Sequence, residues 1–230
     1  MQFFFDHLIA SVVTLTLGLS LLAQQTTVRQ DNMERLSIYQ AKGQALSFAE
    51  WVEDDVVKLG ARFGTSRNRF DRTTAYETSA TGGHLYTSLF DYYYNETVDG
   101  DEVSRVEVRY EVVQHDSLLT SIDELTADST YTPLYELTRS QRKGSYSLAT
   151  ESWIGAAPTW DVTTGYRSPS GLRHFHIIPL DSNGQAVEPA QADYVRLQFE
   201  VLPTLFPLYH ARLIPNRPLH WSTTIEIRPF

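Results

Sequence analysis

The sequence predicts an α+β protein: one long N-terminal helix, apolar in its first half and amphipathic in its second, followed by a mainly antiparallel β domain. Three observations carry that expectation. Residues 1–59 contain no proline, and only Gly18 and Gly43 could break a helix. Further on, apolar and polar residues alternate through Val106, Val108, Tyr110 and Val112, and again through Val195, Leu197, Phe199 and Val201, the period of strands with one wet face. Turn chemistry, notably Asp99-Gly100 and Asp181-Ser182-Asn183-Gly184, separates these runs.

The helix is read from its N-terminus. Leu8 to Ala23 is apolar apart from Ser, Thr and one Gly, which a membrane helix tolerates because hydroxyls bond back to its own backbone. At 1.5 Å per residue this stretch covers roughly 24 Å, and Phe3, Phe4 and Phe5 extend it to about a bilayer core. Asp6 and His7 sit at its start, where a buried carboxylate costs several kcal/mol unless it finds a partner or snorkels to the headgroups. A secretory signal peptide needs a basic start and a small-residue cleavage site. The first seven residues hold an acid and no Lys or Arg, so the segment is expected to be retained. Arg29 and Arg35 lie beside Asp31 and Glu34, and charge therefore sets no orientation.

From Thr26 to Gly60, Val28, Met33, Leu36, Leu46, Val52, Val56 and Leu59, with small Ala45 and Ala49, fall mostly three, four or seven apart, as on a helix packed along one face. Gly60 and Gly64 supply the stop. An unbroken helix from Phe3 to Leu59 would be on the order of 85 Å long. No domain of this size buries such a rod alone, so its first half belongs in a bilayer or among other copies.

The β domain follows, giving a helix over residues 1–60 and a head over 61–230. A third alternating strand is expected through Trp221, Thr223, Ile225 and Ile227, and shorter ones over 85–94, 146–153 and 174–180. Pro203, Pro207, Pro215 and Pro218 mark an irregular excursion before the last strand. Tyr92, Tyr93 and Tyr94 beside Phe90 place aromatics on both faces of one strand, so the face away from the core should be covered by another element or a partner.

Chemistry-bearing motifs are sparse. A net charge of −9 disfavours nucleic acid as principal partner, and the absence of cysteine excludes disulfides, thiolate metal sites and thiol catalysis. There is no Gly-x-Ser-x-Gly elbow, and Arg142-Lys143-Gly144-Ser145 lacks the upstream glycine of a phosphate loop. His174 and His176 would share one face of a regular strand, but no third zinc ligand is identifiable. Asp99-Gly100-Asp101-Glu102 and Asp181-Ser182-Asn183-Gly184 are read as hairpin turns rather than calcium loops. Asn95-Glu96-Thr97 fits a glycosylation acceptor. No catalytic residue, metal or cofactor is expected.

The order of these parts resembles type IV pilins and type II secretion pseudopilins, especially their larger minor subunits. It runs from an apolar N-terminal helix with a near-terminal acid, through AEWVEDDVVKLGARFG at the helix end, to a β domain closing on YVRLQFEV and WSTTIEIRPF. The resemblance implies that Asp6, with His7 beside it, neutralises the terminal amine of an adjacent subunit in a filament core. Asp6 stands where the family usually has Glu, and His7 where it has an apolar residue.

At the helix end, Glu50, Glu53, Asp54 and Asp55 precede Arg62, Arg67, Arg69 and Arg72. These charges are candidates for contacts between subunits, for pairing within the chain, or for a solvated face. The functional expectation is a non-enzymatic subunit of a pilus-like or pseudopilus filament. It would be held in the inner membrane by its helix before assembly, then displayed at the cell surface with copies of itself or related subunits as partners. The alternative is a single-pass anchored component of another assembly, a virion membrane protein or a non-polymerising envelope protein.

Overall fold

A computed structural model describes residues 2–59, 70–77, 84–122, 129–163, 168–203 and 218–227. It has the expected α+β layout. Helix α1 runs unbroken from Gln2 to Val56, 55 residues or about 82 Å. Among the described residues nine strands follow: β1 (Phe70–Glu77), β2 (His84–Asp99), β3 (Glu102–Ile122), β4 (Ser129–Ser147), β5 (Ser152–Trp153), β6 (Asp161–Val162), β7 (Leu172–Leu180), β8 (Tyr194–Val201) and β9 (Leu219–Glu226). All pairings are antiparallel. One sheet has the order β1-β2-β3-β4-β5 with β6 also on β4, and the other is the meander β7-β8-β9.

Both sheets close on the second half of α1. The helix face they cover carries Ser37, Ala41, Ala45, Ala49, Val52 and Val56, three or four residues apart, with Phe48 beside Ala49 and Leu59 in the turn that follows, all buried. Small side chains let the sheets approach the helix backbone, while Phe48 fills the space between. Its ring lies 5.0 Å from Phe199 and 6.1 Å from Phe175 of the second sheet, and Trp51 lies 5.5 Å from Tyr110 of the first. The amphipathic stripe therefore differs from the expected one. Val28, Met33, Leu36 and Leu46 are exposed; the first three lie before the docked segment starts at Ser37, and Leu46 is one residue off its buried line.

Several strand expectations need correction. Residues 146–153 are not one strand: Tyr146 pairs with Trp153 across a tight hairpin, whose turn holds Glu151 at a φ of 50°. β1 and most of β4 were not expected. β4 hides from pattern reading because its inward positions include Leu137 and then Arg139, both buried, so a charge interrupts the apolar alternation. The hairpin at Asp99-Gly100 forms as expected, with Gly100 at a φ of 60°.

The outer face of the first sheet is closed by the chain itself. Arg105 stacks 3.4 Å from the Tyr146 ring centroid and 4.2 Å from that of Tyr93; Arg109 and Arg142 each lie 4.6 Å from Trp160, and Arg142 5.4 Å from Trp153. Arg109 also forks onto Asp91 with two bonds of 2.9 Å, and Arg142 onto Glu107 at 2.6 Å. Gly144 makes room for this cover, because a Cβ there would sit 2.8 Å from Pro158. Phe90 and Tyr92 face the core, and Tyr93 takes the stacked outer position.

Gly171 marks the tightest approach between segments of the second sheet, since a Cβ there would lie 2.0 Å from the Leu202 carbonyl oxygen. Gly171→Ala should therefore destabilise the head by about 1–3 kcal/mol, read as a lowered denaturant midpoint with an unchanged slope. An unshifted midpoint would show that this backbone contact relaxes freely.

Candidate functional site

The helix leaves the head at about Ser37 and projects from it. Upstream of that point, Ile9, Val12, Val13, Leu15, Leu17, Leu19, Leu21 and Leu22 are all more than half exposed and point to every side of the rod. This is the one helix among the described residues long and apolar enough to cross a membrane. Three of its hydroxyls bond back to the helix: Ser11 donates to the His7 carbonyl at 2.8 Å, Thr14 to Ala10 at 2.8 Å and Thr16 to Val12 at 2.7 Å. His7, Ser11, Thr14, Gly18 and Leu22 border a shallow groove along one side, where Gly18 has nothing within 4 Å of a Cβ position. Asp6 lies on the helix, but its side chain is outside the described residues.

A buried charge cluster joins the other end of the helix to the first sheet. Asp55, 2 % exposed, points from α1 into the first sheet. Arg139 of β4 donates to it from Nε at 2.6 Å and Nη2 at 3.3 Å, the Tyr110 hydroxyl of β3 donates at 2.5 Å, and Lys58 at 3.0 Å. Arg139 also donates from Nη1 to Gln141 at 2.9 Å and to Thr163 at 2.7 Å. Burial pushes the Asp55 carboxyl up, but the hydrogen bonds of Arg139 and Tyr110 and the Arg139 charge outweigh it and hold the group below its ordinary value. Burial, with Asp55 beside it, drives the Tyr110 hydroxyl well above its ordinary range, so it remains a neutral donor.

The other sequence candidates separate. Glu53 accepts a hydrogen bond from the Trp221 indole of β9 at 3.3 Å, joining the helix to the second sheet, whereas Glu50 and Asp54 are exposed. Arg62, Arg67 and Arg69 lie outside the described residues; Arg72 is in β1 opposite Phe90, its side chain likewise outside them. The pairing found for Asp55 uses Arg139, Tyr110 and Lys58. Tyr110 was read from sequence only as an inward strand position, and Arg139 was not singled out; the only signal for Arg139 was an arginine in phase with Leu137 on an inward position.

His174 does not share a regular face with His176. A bulge between Arg173 and Phe175 puts His174 at a φ of 50° and breaks the alternation. Among the described residues no group of three His, Asp or Glu could hold a metal ion. In the turn after β7, Asp181 Oδ1 accepts from the backbone N–H groups of Asn183 and Gln185 at 2.9 and 2.8 Å, a hairpin device. Asn95 of the glycosylation motif is buried and accepts from Arg105 at 3.4 Å, closing it to a glycan without local opening. Comparison with protein-family models, curated proteins and solved structures finds no match for this chain.

Asp55→Ala leaves the Arg139 guanidinium buried without its carboxylate and should cost about 3–5 kcal/mol; Asp55→Leu combined with Arg139→Met should cost clearly less. Denaturant unfolding of the three proteins checks this, and equal losses would refute the pairing. Because the native Asp55 pKa is below the unfolded value near 3.8, its contribution is complete above that value and is lost as pH falls through the lower native one. Wild-type stability should therefore drop more steeply below pH 4 than that of the double variant.

Proposed function

We propose that this chain is a structural, non-enzymatic subunit of a pilin-like filament. The helix would hold it in a membrane before assembly and pack against helices of other copies afterwards, with the β head outside. One observation carries this reading: a single unbroken helix is apolar on every side from Leu8 to Ala23, where it projects farthest, yet is locked at its other end into a folded head. An apolar rod of that length is stable in lipid or inside a bundle, not in water. In a bundle the contacts join one surface to a different surface of the next copy, which generates an open helical assembly. The groove at Ser11, Thr14 and Gly18 supports close helix packing, since small residues let backbones approach.

A second reading draws on the same exposed stretch: a single-pass anchor that never polymerises. Electron microscopy of the expressed full chain separates the two. Filaments with bundled helical cores are the expected outcome, and particles that stay monomeric, with cells bare of fibres, would leave only the anchor. Asp6→Ala should abolish fibres while the circular dichroism of the head stays native. Normal fibres from that variant would remove the charge-pairing role of Asp6.

A further inference from the structure

Beside the stacked arginines, the outer face of the first sheet keeps an open cleft of about 560 Å³. That volume falls in the range of roughly 300–1,000 Å³ that small-ligand sites occupy. Three parts of the chain line it: outward positions of β2, β3 and β4, Trp160 just ahead of β6, and Glu188 with the start of the 3-10 helix Pro189–Gln191. The cleft lies on the side of the sheet away from the buried Phe90 and Tyr92.

Its charged groups are held in place but not used up. Arg109 gives Nε and Nη2 to the two oxygens of Asp91, at 2.9 Å each. Arg142 gives Nε and Nη2 to the single oxygen Oε2 of Glu107, at 2.7 and 2.6 Å. Both guanidinium groups also rest 4.6 Å from the centre of the Trp160 ring. Among the described residues, the Nη1 groups of Arg109 and Arg142, Oε1 of Glu107 and the Glu188 carboxylate have no hydrogen-bond partner. The four paired side chains keep 20–38 % of their surface open, so a ligand in the cleft reaches them.

The chemistry of these open groups selects a ligand class. Each fork cancels its own charge, and the cleft then offers donors and acceptors side by side. A small anion there meets carboxylates as near as the guanidiniums, and a cation meets the reverse. A hydroxyl suits both, because it gives and takes a hydrogen bond at once. The rings of Trp160 and Tyr93 in the lining add faces whose negative charge attracts polarised C–H groups. A sugar ring combines these needs, with C–H groups on its faces and hydroxyls around its rim. An extended peptide does not: strand addition needs an open sheet edge, and here Asp91 is paired with Arg109, Tyr93 with Glu107, and Glu107 with Arg142.

We propose that this cleft binds a neutral saccharide, its ring against Trp160 and Tyr93 and its hydroxyls on Glu107, Glu188 and the open Nη1 groups of Arg109 and Arg142. Forks and stacking set these side chains before the sugar arrives, so little ordering cost opposes binding. The site does not depend on the filament reading, since it belongs to the head alone and would serve an anchored monomer equally.

The full chain in phosphocholine-detergent micelles, which carry no sugar, is screened on an array of neutral and sulfated oligosaccharides, and the glycans it retains are titrated by calorimetry. Saturable binding of neutral glycans, little changed between low and high salt, is the expected result. Trp160→Ala should weaken it by about tenfold or more. Glu188→Ala, which breaks no ion pair among the described residues, should weaken it by about fivefold with the near-UV circular dichroism unchanged. No retained glycan would overturn the proposal, as would retention of sulfated glycans alone with release by salt. Equal affinity in wild type, Glu188→Ala and a folded Trp160→Ala would place the sugar elsewhere and overturn it too.

Discussion

The fold depends on one buried carboxylate. Asp55 leaves the helix on its otherwise apolar buried face, and Arg139, Tyr110 and Lys58 meet it from the sheet side and from the turn that ends the helix. A buried ion pair contributes little net stability against an apolar alternative, but removing one partner is costly. The consequence is selection among arrangements. Sliding the helix by one residue, or turning it by a fraction of a turn, would strand a charge in the core. The small residues at Ala41, Ala45 and Ala49 would tolerate many helix positions; the carboxylate tolerates one.

The first sheet uses arginine on both faces for different ends. Arg139 points inward and neutralises a carboxylate from the helix, while Arg105, Arg109 and Arg142 point outward and hold Tyr93, Tyr146, Trp153 and Trp160 in stacked contact. Stacking of guanidinium on aromatic rings is worth about 0.5–1 kcal/mol where exposed and more where water is excluded. These contacts also tie the 154–160 segment across the strands, with Gly144 as the gap that admits Pro158. The aromatic cluster of β2 thus finds its outer cover inside its own chain.

The helix, the sheet class and the strands β2, β3, β7, β8 and β9 were legible because their periodicities are strong and local. β4 was not, since Arg139 occupies an apolar phase for a reason that lies in a residue 84 positions earlier. The same holds for Asp55, which on the helix looks like one acid in a solvated run of four. Alanines misled in the opposite sense: Leu36 and Leu46 carry more hydrophobicity than Ala41 or Ala45, yet the sheets selected the line of least bulk. The bulge at His174 overturned a face assignment that strict alternation had favoured. In each case the deciding information was a partner distant in sequence.

The helix has no hinge between its projecting half and its docked half; residues 2–56 form one element and the head grips it without slack at Asp55. Head and rod therefore share one rotational setting. Each residue added between Ala23 and Ser37 would turn the head by about 100° and shift it by 1.5 Å relative to whatever surrounds the rod. The length of that intervening stretch is thus an angular specification, and it dictates which side of the head faces a given direction around the rod.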